Sequence, residues 1–428
     1  MSAVAPKIKI PYPVVLMAAG IIVGFLPFHG FNYLPIEPDV VFLLFLPPLL
    51  YDAAVNISIK EFKSNIRTIS LMAVPLVFIT MTAIAVVVYY LIPEISWPMA
   101  FVVGAILSPP DAVAASGITK GLNLSHRTDI ILEGESLIND ASALTAYRVA
   151  LGVVTGGTFI LWEAGIEFII TLLGGCIIGF IMAFIFGYTI KKVKLESTAI
   201  VSLNFLLPFV AYQFAESLSV SGVLAVVTMG ILIAVRDNKD KIFSDITKVQ
   251  TKSLWSTLIY LLSGLVFILI GLELPQILHE IAPHTIIPLL ISAFSIFFIA
   301  LLIRFLIVFR HKFKLDKFIT SFASHKHAMP KEKTKRFEEL EPLTWKEALI
   351  ISWSGMRGIV SLATAIELPV TLANGEAFTQ RNTIVTLTVL VVVIMMLIQG
   401  LGLPLLVKWL KVDVDIEKVV KEEAKKEL

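Results

Sequence analysis

The sequence carries Asp111, Glu133, Glu135, Asp140, Arg148, Glu216 and Arg357 deep inside apolar stretches, and Asp52, Glu273 and Glu367 nearer the ends of such stretches. A charged side chain at membrane depth costs roughly 2.5–3.5 kcal/mol on insertion scales, so it is functional by default. The densest group is Glu133-Gly134-Glu135-Ser136-Leu137-Ile138-Asn139-Asp140. On a helix Ser136 and Asp140 are four apart and share a face, and Glu135 and Asn139 share the adjacent one. The oxygens of Ser136 and Asp140 are hard ligands suited to a small hard cation. Desolvation favours the neutral form of a carboxylate, so a buried aspartate can hold a proton and exchange it for a cation. Such competition for one carboxylate suffices for antiport once the site is reached from each side in turn.

Two interruptions frame this group. Ser108-Pro109-Pro110-Asp111-Ala112-Val113 places two prolines in mid-span, where they remove backbone donors and break the helix. Ser354-Gly355-Met356-Arg357-Gly358 places an arginine between two glycines in a second apolar span. Broken helices in a membrane are tolerated where they line a protein-enclosed cavity. One break in each half of the chain points to an inverted-repeat transporter, with freed carbonyls and half-helix ends available to a cation. Asp111 has a second reading as the N-cap of the half-helix that follows it. Glu135 needs a counter-charge, and Arg357 is expected to supply it as a buried structural ion pair. Arg148 is expected to snorkel or pair with a nearby carboxylate. Glu216 is expected to be structural, Glu273 interfacial, and Asp52 a helix cap. The histidines fall at loops and read as surface.

These residues must be positioned by helices. Of the 428 residues, 57% are hydrophobic and 16% charged, against about 25% charged in soluble domains. Twelve apolar segments are read at 11–27, 38–55, 67–92, 98–118, 129–155, 162–190, 196–217, 220–235, 253–273, 284–309, 343–369 and 381–410, the expectation being an all-α polytopic membrane protein with two broken crossing helices. With an internal N-terminus, the inside segments collect Lys60, Lys63, Arg67, Lys120, Arg127, Lys191, Lys192, Lys194, Arg236 and the cluster from Arg310 to Lys346, and the outside loops hold only Arg381. That asymmetry is the positive-inside rule, and it places both termini in the cytoplasm. A single domain is expected over 1–428: a first repeat at about 11–155, a linker helix at about 162–190, and a second repeat at about 196–410. A basic cytoplasmic loop at 310–342, lying near anionic lipid, and a short charged tail at 412–428 complete it. Cys176 stands alone, which excludes a disulfide framework, and no cleavable signal peptide is evident. The net charge of +2 gives no reason to expect nucleic acid.

The ordered motifs resemble the NhaP/NHE-type monovalent cation:proton antiporters along nearly the whole chain. Phe45-Leu46-Pro47-Pro48-Leu49-Leu50-Tyr51 is similar to the family's early proline-rich span, and Ser108 to Val113 to its broken-helix motif. Glu133 to Asp140 resembles its E-G-E-S-x-x-N-D signature, and Gly355 to Ala363 its G-x-R-G-x-x-S-L-A run; Ser219–Val226 and Phe267–Leu272 fit further stretches. The resemblance implies that Asp140 binds cation and proton in turn, and that Asp111 and Ser136 help ligate the ion. Asn139 is then the neutral member of an Asn-Asp pair, which in the family goes with electroneutral one-for-one exchange. Glu135 and Arg357 are implied to form the stabilising pair. A homodimer in the cell membrane is implied, with a mobile six-helix core and no cofactor; the transported ions are H+ and Na+, with Li+ or K+ as variants. Two departures stand out. Pro110 occupies the place of a frequent threonine, which alters a ligand oxygen. The family's first span has no counterpart here, which agrees with a cytoplasmic N-terminus and implies an altered dimer interface. The rival readings are a potassium/proton exchanger and a non-transporting sensor on the same fold. An intramembrane aspartyl protease is disfavoured because Tyr51-Asp52 has no second aspartate in a Gly-x-Gly-Asp context.

Overall fold

A computed structural model describes residues 11–26, 38–119, 122, 124–156, 161–193, 195–280, 283–325, 343–371, 375 and 377–410. The N-terminal basic stretch through position 10, most of the expected loop (326–342) and the expected tail (412–428) lie outside these residues. The described chain is nearly all helical. In order it forms α1 (Tyr12–Phe25), α2 (Pro38–Asn56), α3 (Ile59–Ala73), α4 (Pro75–Leu91), α5 (Trp97–Leu107), α6 (Ala112–Thr119), α7 (His126–Val154), α8 (Leu161–Lys192), α9 (Ser197–Ser217), α10 (Gly222–Asp240), α11 (Asp245–Glu280), α12 (Pro283–His325), α13 (Trp345–Trp353), α14 (Ile359–Ile366) and α15 (Arg381–Leu410).

Each of the twelve apolar segments falls on one helix or on two consecutive ones. Three segments divide where the sequence denies the backbone a donor or adds freedom: at Pro75, at Pro109-Pro110 and at Gly355–Gly358. Six stretches among the described residues, 59–91, 162–192, 197–217, 245–275, 284–319 and 381–410, are long and apolar enough to cross a membrane. The segments that miss this measure include the interrupted pair and α7, which carries the charge cluster. They are the elements that build the site.

Two boundaries depart from the sequence reading. The segment expected to begin at 67 begins at Ile59, because α3 is strongly amphipathic: Lys60, Lys63 and Arg67 stay exposed or half-buried while Asn65, Ile69, Met72 and Ala73 are buried. The loop expected from 310 is helical to His325, with Lys312 and Asp316 paired one turn apart on its surface. His311 is accordingly not a loop residue; its Nε2 lies 3.0 Å from the Thr68 hydroxyl of α3.

The layers follow from burial. Within its apolar window α15 is 78% buried, so it runs through the interior, whereas α8 is 22% buried and lies on the periphery. The site helices α5, α6, α13 and α14 pack against α15, and α5, α6 and α13 pack against α7. The helix α1 packs closely along α11, and glycine permits it. A Cβ on Gly20 would lie 3.1 Å from the Gly271 Cα, and one on Gly271 would lie 3.0 Å from the Gly20 Cα. Dispersion contacts between such closely approached backbones replace the hydrophobic drive that lipid-facing helices lack.

Candidate ion site at the crossing of the broken helices

Pro109 and Pro110 end α5 at Leu107 and leave the carbonyls of its last turn without intrahelical donors. Arg357, in the second break, supplies those donors. Its Nε donates to Leu107 O at 2.7 Å and its Nη2 to Ser108 O at 3.0 Å, and Nη1 donates to Gly355 O. A cation therefore sits at the negative end of a half-helix, where the macrodipole favours it. Asp111 does the converse. Its Oδ1 accepts from Ala114 N at 3.3 Å, in α6, and its Oδ2 accepts from Ile359 N at 3.1 Å, at the start of α14. One carboxylate thus caps two half-helices. The extended segments are also joined directly, Asp111 N donating to Met356 O at 2.7 Å.

The two glycines of the second break make this crossing possible. A Cβ on Gly358 would lie 2.6 Å from the Asp111 Cγ, and one on Gly355 would lie 2.6 Å from Cδ of Arg304. Neither distance leaves room for a side chain, so the glycines admit one acidic and one basic group to the crossing.

Arg304, on α12, corrects one expectation. The partner of Glu135 is Arg304 and not Arg357. The two form a bidentate pair at 2.5 and 2.6 Å, with Arg304 Nε donating also to Ile351 O at 3.0 Å. Both ends are buried, at 1% exposure for Glu135 and 4% for Arg304. Arg357 is committed to backbone carbonyls, and Glu135 uses both its oxygens on the parallel donors that a guanidinium presents. Sequence reasoning passed over Arg304 because it sits about 9 Å of helix rise from the basic end of its span, within the reach ascribed to snorkelling arginines. Its signal was a lone arginine between Leu302 and Phe305 in an otherwise apolar run.

Beside the crossing runs the charged face of α7. Ser136, Asn139 and Asp140 are all buried, at 5%, 0% and 5% exposure, and Asp111 at 6%. Asn139 Nδ2 reaches Pro110 O at 3.4 Å, which ties α7 to the first break. The Asp111 and Asp140 carboxylates lie within electrostatic reach of one another. Asp140 Oδ1 and Asn139 Oδ1 are both buried without a hydrogen-bond partner. Two neighbouring acceptors left unsatisfied inside a protein are costly. A proton on the carboxylate, or a bound cation, relieves that cost at Asp140.

Cavities lie on either side of Asp140 along α7. One, of about 450 Å³, is lined among others by Leu144, Tyr147, Arg148, Tyr212, Glu216 and Glu367, and reaches to within one helical turn of Asp140. The other, about 20 Å³, is lined by Ser116, Asp129 and Glu133 among others, one turn to the opposite side of Ser136. Asp129, Glu133, Ser136, Asp140, Leu144 and Arg148 recur at helical spacing on one stripe. Arg148 pairs with Glu216 at 2.5 Å at the mouth of the larger cavity, and Glu216 also accepts from Gly222 N at 3.0 Å. Asp52 accepts from Asn56 Nδ2 at 2.9 Å, near the end of α2. Among the described residues no group of three or more His, Cys, Asp or Glu is arranged to hold a resident metal.

The fold is that of a known antiporter. It matches the sodium proton antiporter MjNhaP1 from Methanocaldococcus jannaschii with a TM-score of 0.67 at 20% identity, covering 95% of this chain and 94% of that one. In sequence the chain is 31% identical over 407 residues to the sodium, potassium, lithium and rubidium/H+ antiporter of Bacillus pumilus, covering 93% of this chain and 58% of that protein. The chain thus spans less than two thirds of that relative's length. It is 28% identical over 418 residues to the Na+/H+ antiporter NhaH of Halobacillus aidingensis, covering 95% of this chain and 93% of that one. Residues 1–409 match the transmembrane sodium/hydrogen exchanger family. With helices apolar enough to cross a membrane several times and that match over nearly its full length, the chain belongs to the sodium/hydrogen exchanger family.

Proposed function

We propose that the chain is a secondary active antiporter that exchanges one sodium ion for one proton at Asp140, without net charge movement. The observation that carries this reading is the unpartnered, buried Oδ1 of Asp140 beside the unpartnered Oδ1 of Asn139, at the crossing of two broken helices. One titrating carboxylate swaps one proton for one monovalent ion, and Asn139, being neutral, adds no second titration. Ser136, one turn away on the same face, offers a further oxygen. Asp111 serves chiefly as a double cap, and supports the ion through its charge or through a water rather than by surrendering its backbone donors.

Alternating access requires a route to each side. The larger cavity past Leu144 and the smaller one past Glu133 supply them, and their unequal volumes of about 450 and 20 Å³ fit a conformation opened toward the Arg148–Glu216 side. The orientation with both termini cytoplasmic, the division into two inverted repeats joined by α8, and association as a homodimer belong to the same proposal. A second reading is favoured by one comparison: the Bacillus pumilus relative is named for sodium, potassium, lithium and rubidium, and a broader selectivity that includes potassium fits equally well with a site of hard oxygens.

The test uses vesicles with an acidic interior. Sodium added outside alkalinises the lumen at a rate that is independent of membrane voltage and is lost in Asp140→Asn. A response to potassium as strong as that to sodium favours the broader selectivity. Transport surviving in Asp140→Asn, or a rate that follows voltage, contradicts the proposal.

A further inference from the structure

The 43-residue helix α12 is about 64 Å long at 1.5 Å per residue, roughly twice the hydrocarbon thickness. Its outward face is apolar over part of that length. Ile287, Phe294, Phe298 and Leu306 are 67%, 45%, 67% and 60% exposed and recur at helical spacing. From Ile287 to Leu306 is about 29 Å of rise, which matches the hydrocarbon core. The next residue in this stripe, one turn on, is Arg310, followed by Lys314 and Lys317, all exposed. These three basic residues line an open groove of about 710 Å³ together with Phe305, Phe309 and Phe313. Phe305 and Phe309 are stacked, centroids 6.0 Å apart and planes within 9°. Among the described residues no carboxylate pairs with Arg310, Lys314 or Lys317, the nearby Asp316 being engaged by Lys312.

We propose that this groove binds an anionic phospholipid, its acyl chains against Phe305 and Leu306 and its phosphate held by Arg310, Lys314 and Lys317. The assignment rests on position as well as charge. The cations continue the lipid-facing stripe at the level where headgroups begin, and they project from an apolar floor that a soluble anion has no reason to occupy. A basic side chain at an anionic surface is worth about 1 kcal/mol, which converts to roughly fivefold in affinity per charge. The site is independent of the exchange reaction. It anchors the helix that carries Arg304 on another face, and so links the headgroup layer to the helix that braces Glu135.

The test compares the intact protein with Arg310→Gln/Lys314→Gln/Lys317→Gln, purified in detergent with phosphatidylglycerol or phosphatidylcholine, counting retained lipid by native mass spectrometry. The expected result is retained phosphatidylglycerol on the intact protein and a loss of on the order of a hundredfold in its affinity for the variant, with phosphatidylcholine unchanged. The control Lys191→Gln/Lys239→Gln/Lys241→Gln, basic but off the groove, keeps the lipid. If the triple variant does not fold, Lys314→Gln and Lys317→Gln are measured singly, each about fivefold weaker, and Arg310→Lys retains binding. Equal retention by the variant, equal loss in the control, or displacement of the lipid by free glycerol phosphate overturns the proposal.

Discussion

Breaking the buried pair on Glu135 separates the observed network from the simpler one expected from sequence. Glu135 and Arg304 are bonded through both carboxylate oxygens at 2.5 and 2.6 Å and are nearly inaccessible, so removing either leaves a charge with no water to replace its partner. Losing one member of such a pair costs about 3–5 kcal/mol, whereas replacing both by apolar groups of similar volume is far milder. Arg304→Met and Glu135→Leu should therefore each destabilise strongly, and the double variant should be less destabilised than the sum by at least about 2 kcal/mol. Arg357→Met should behave differently. It strips donors from Leu107 O and Ser108 O, at about 1–3 kcal/mol for each buried acceptor left unsatisfied. Arg357 shares no hydrogen bond with Glu135, so that loss should couple to Glu135→Leu more weakly than the loss of Arg304 does. Unfolding of the purified proteins by titration with a denaturing detergent measures the two cycles side by side. A coupling of Glu135 to Arg357 as large as that to Arg304 refutes the assignment of partners.

Three further perturbations follow from geometry. Gly358→Ala puts a methyl group 2.6 Å from the Asp111 Cγ and should cost roughly 1–3 kcal/mol while disabling exchange. By contrast, Gly165→Ala meets nothing within 4 Å and should be neutral or stabilising by up to about 1 kcal/mol, both read as shifts in unfolding midpoint. Arg148→Gln removes a pair whose side chains are 42% and 23% exposed, so it should cost less than about 1 kcal/mol and leave the fold intact, as seen by unchanged thermal stability.

The positions of the two breaks were legible because proline and glycine act on the backbone locally. Pro109, Pro110, Gly355 and Gly358 mark them wherever the chain later travels. The face shared by Ser136 and Asp140 was legible for the same reason, helical spacing being a local property. What the two breaks do to one another was not. Arg357 serves the carbonyls of Leu107 and Ser108, about 250 positions away, and Asp111 caps Ile359 across a similar separation. Such choices depend on how the half-helices cross. Arg304 was missed because a lone arginine near a span end is ordinarily explained by snorkelling. The helical course of 310–325 was missed because a run rich in basic residues, with apolar residues scattered among them from Phe313 to Phe322, reads as a solvated loop. In the helix Leu315 is buried while Arg310, Lys314 and Lys317 are exposed, so the run is an amphipathic extension of α12.

If sodium and proton compete for the Asp140 carboxylate, as proposed, sodium binding displaces the proton, and that release can be measured. Purified protein in weakly buffered detergent solution is titrated with sodium chloride, choline chloride serving as the control. Competition for one carboxylate gives one proton released for each sodium bound, an apparent sodium affinity that falls about tenfold per pH unit on the acid side, and neither signal in Asp140→Asn. Sodium binding without proton release, or release that persists in Asp140→Asn, would contradict it.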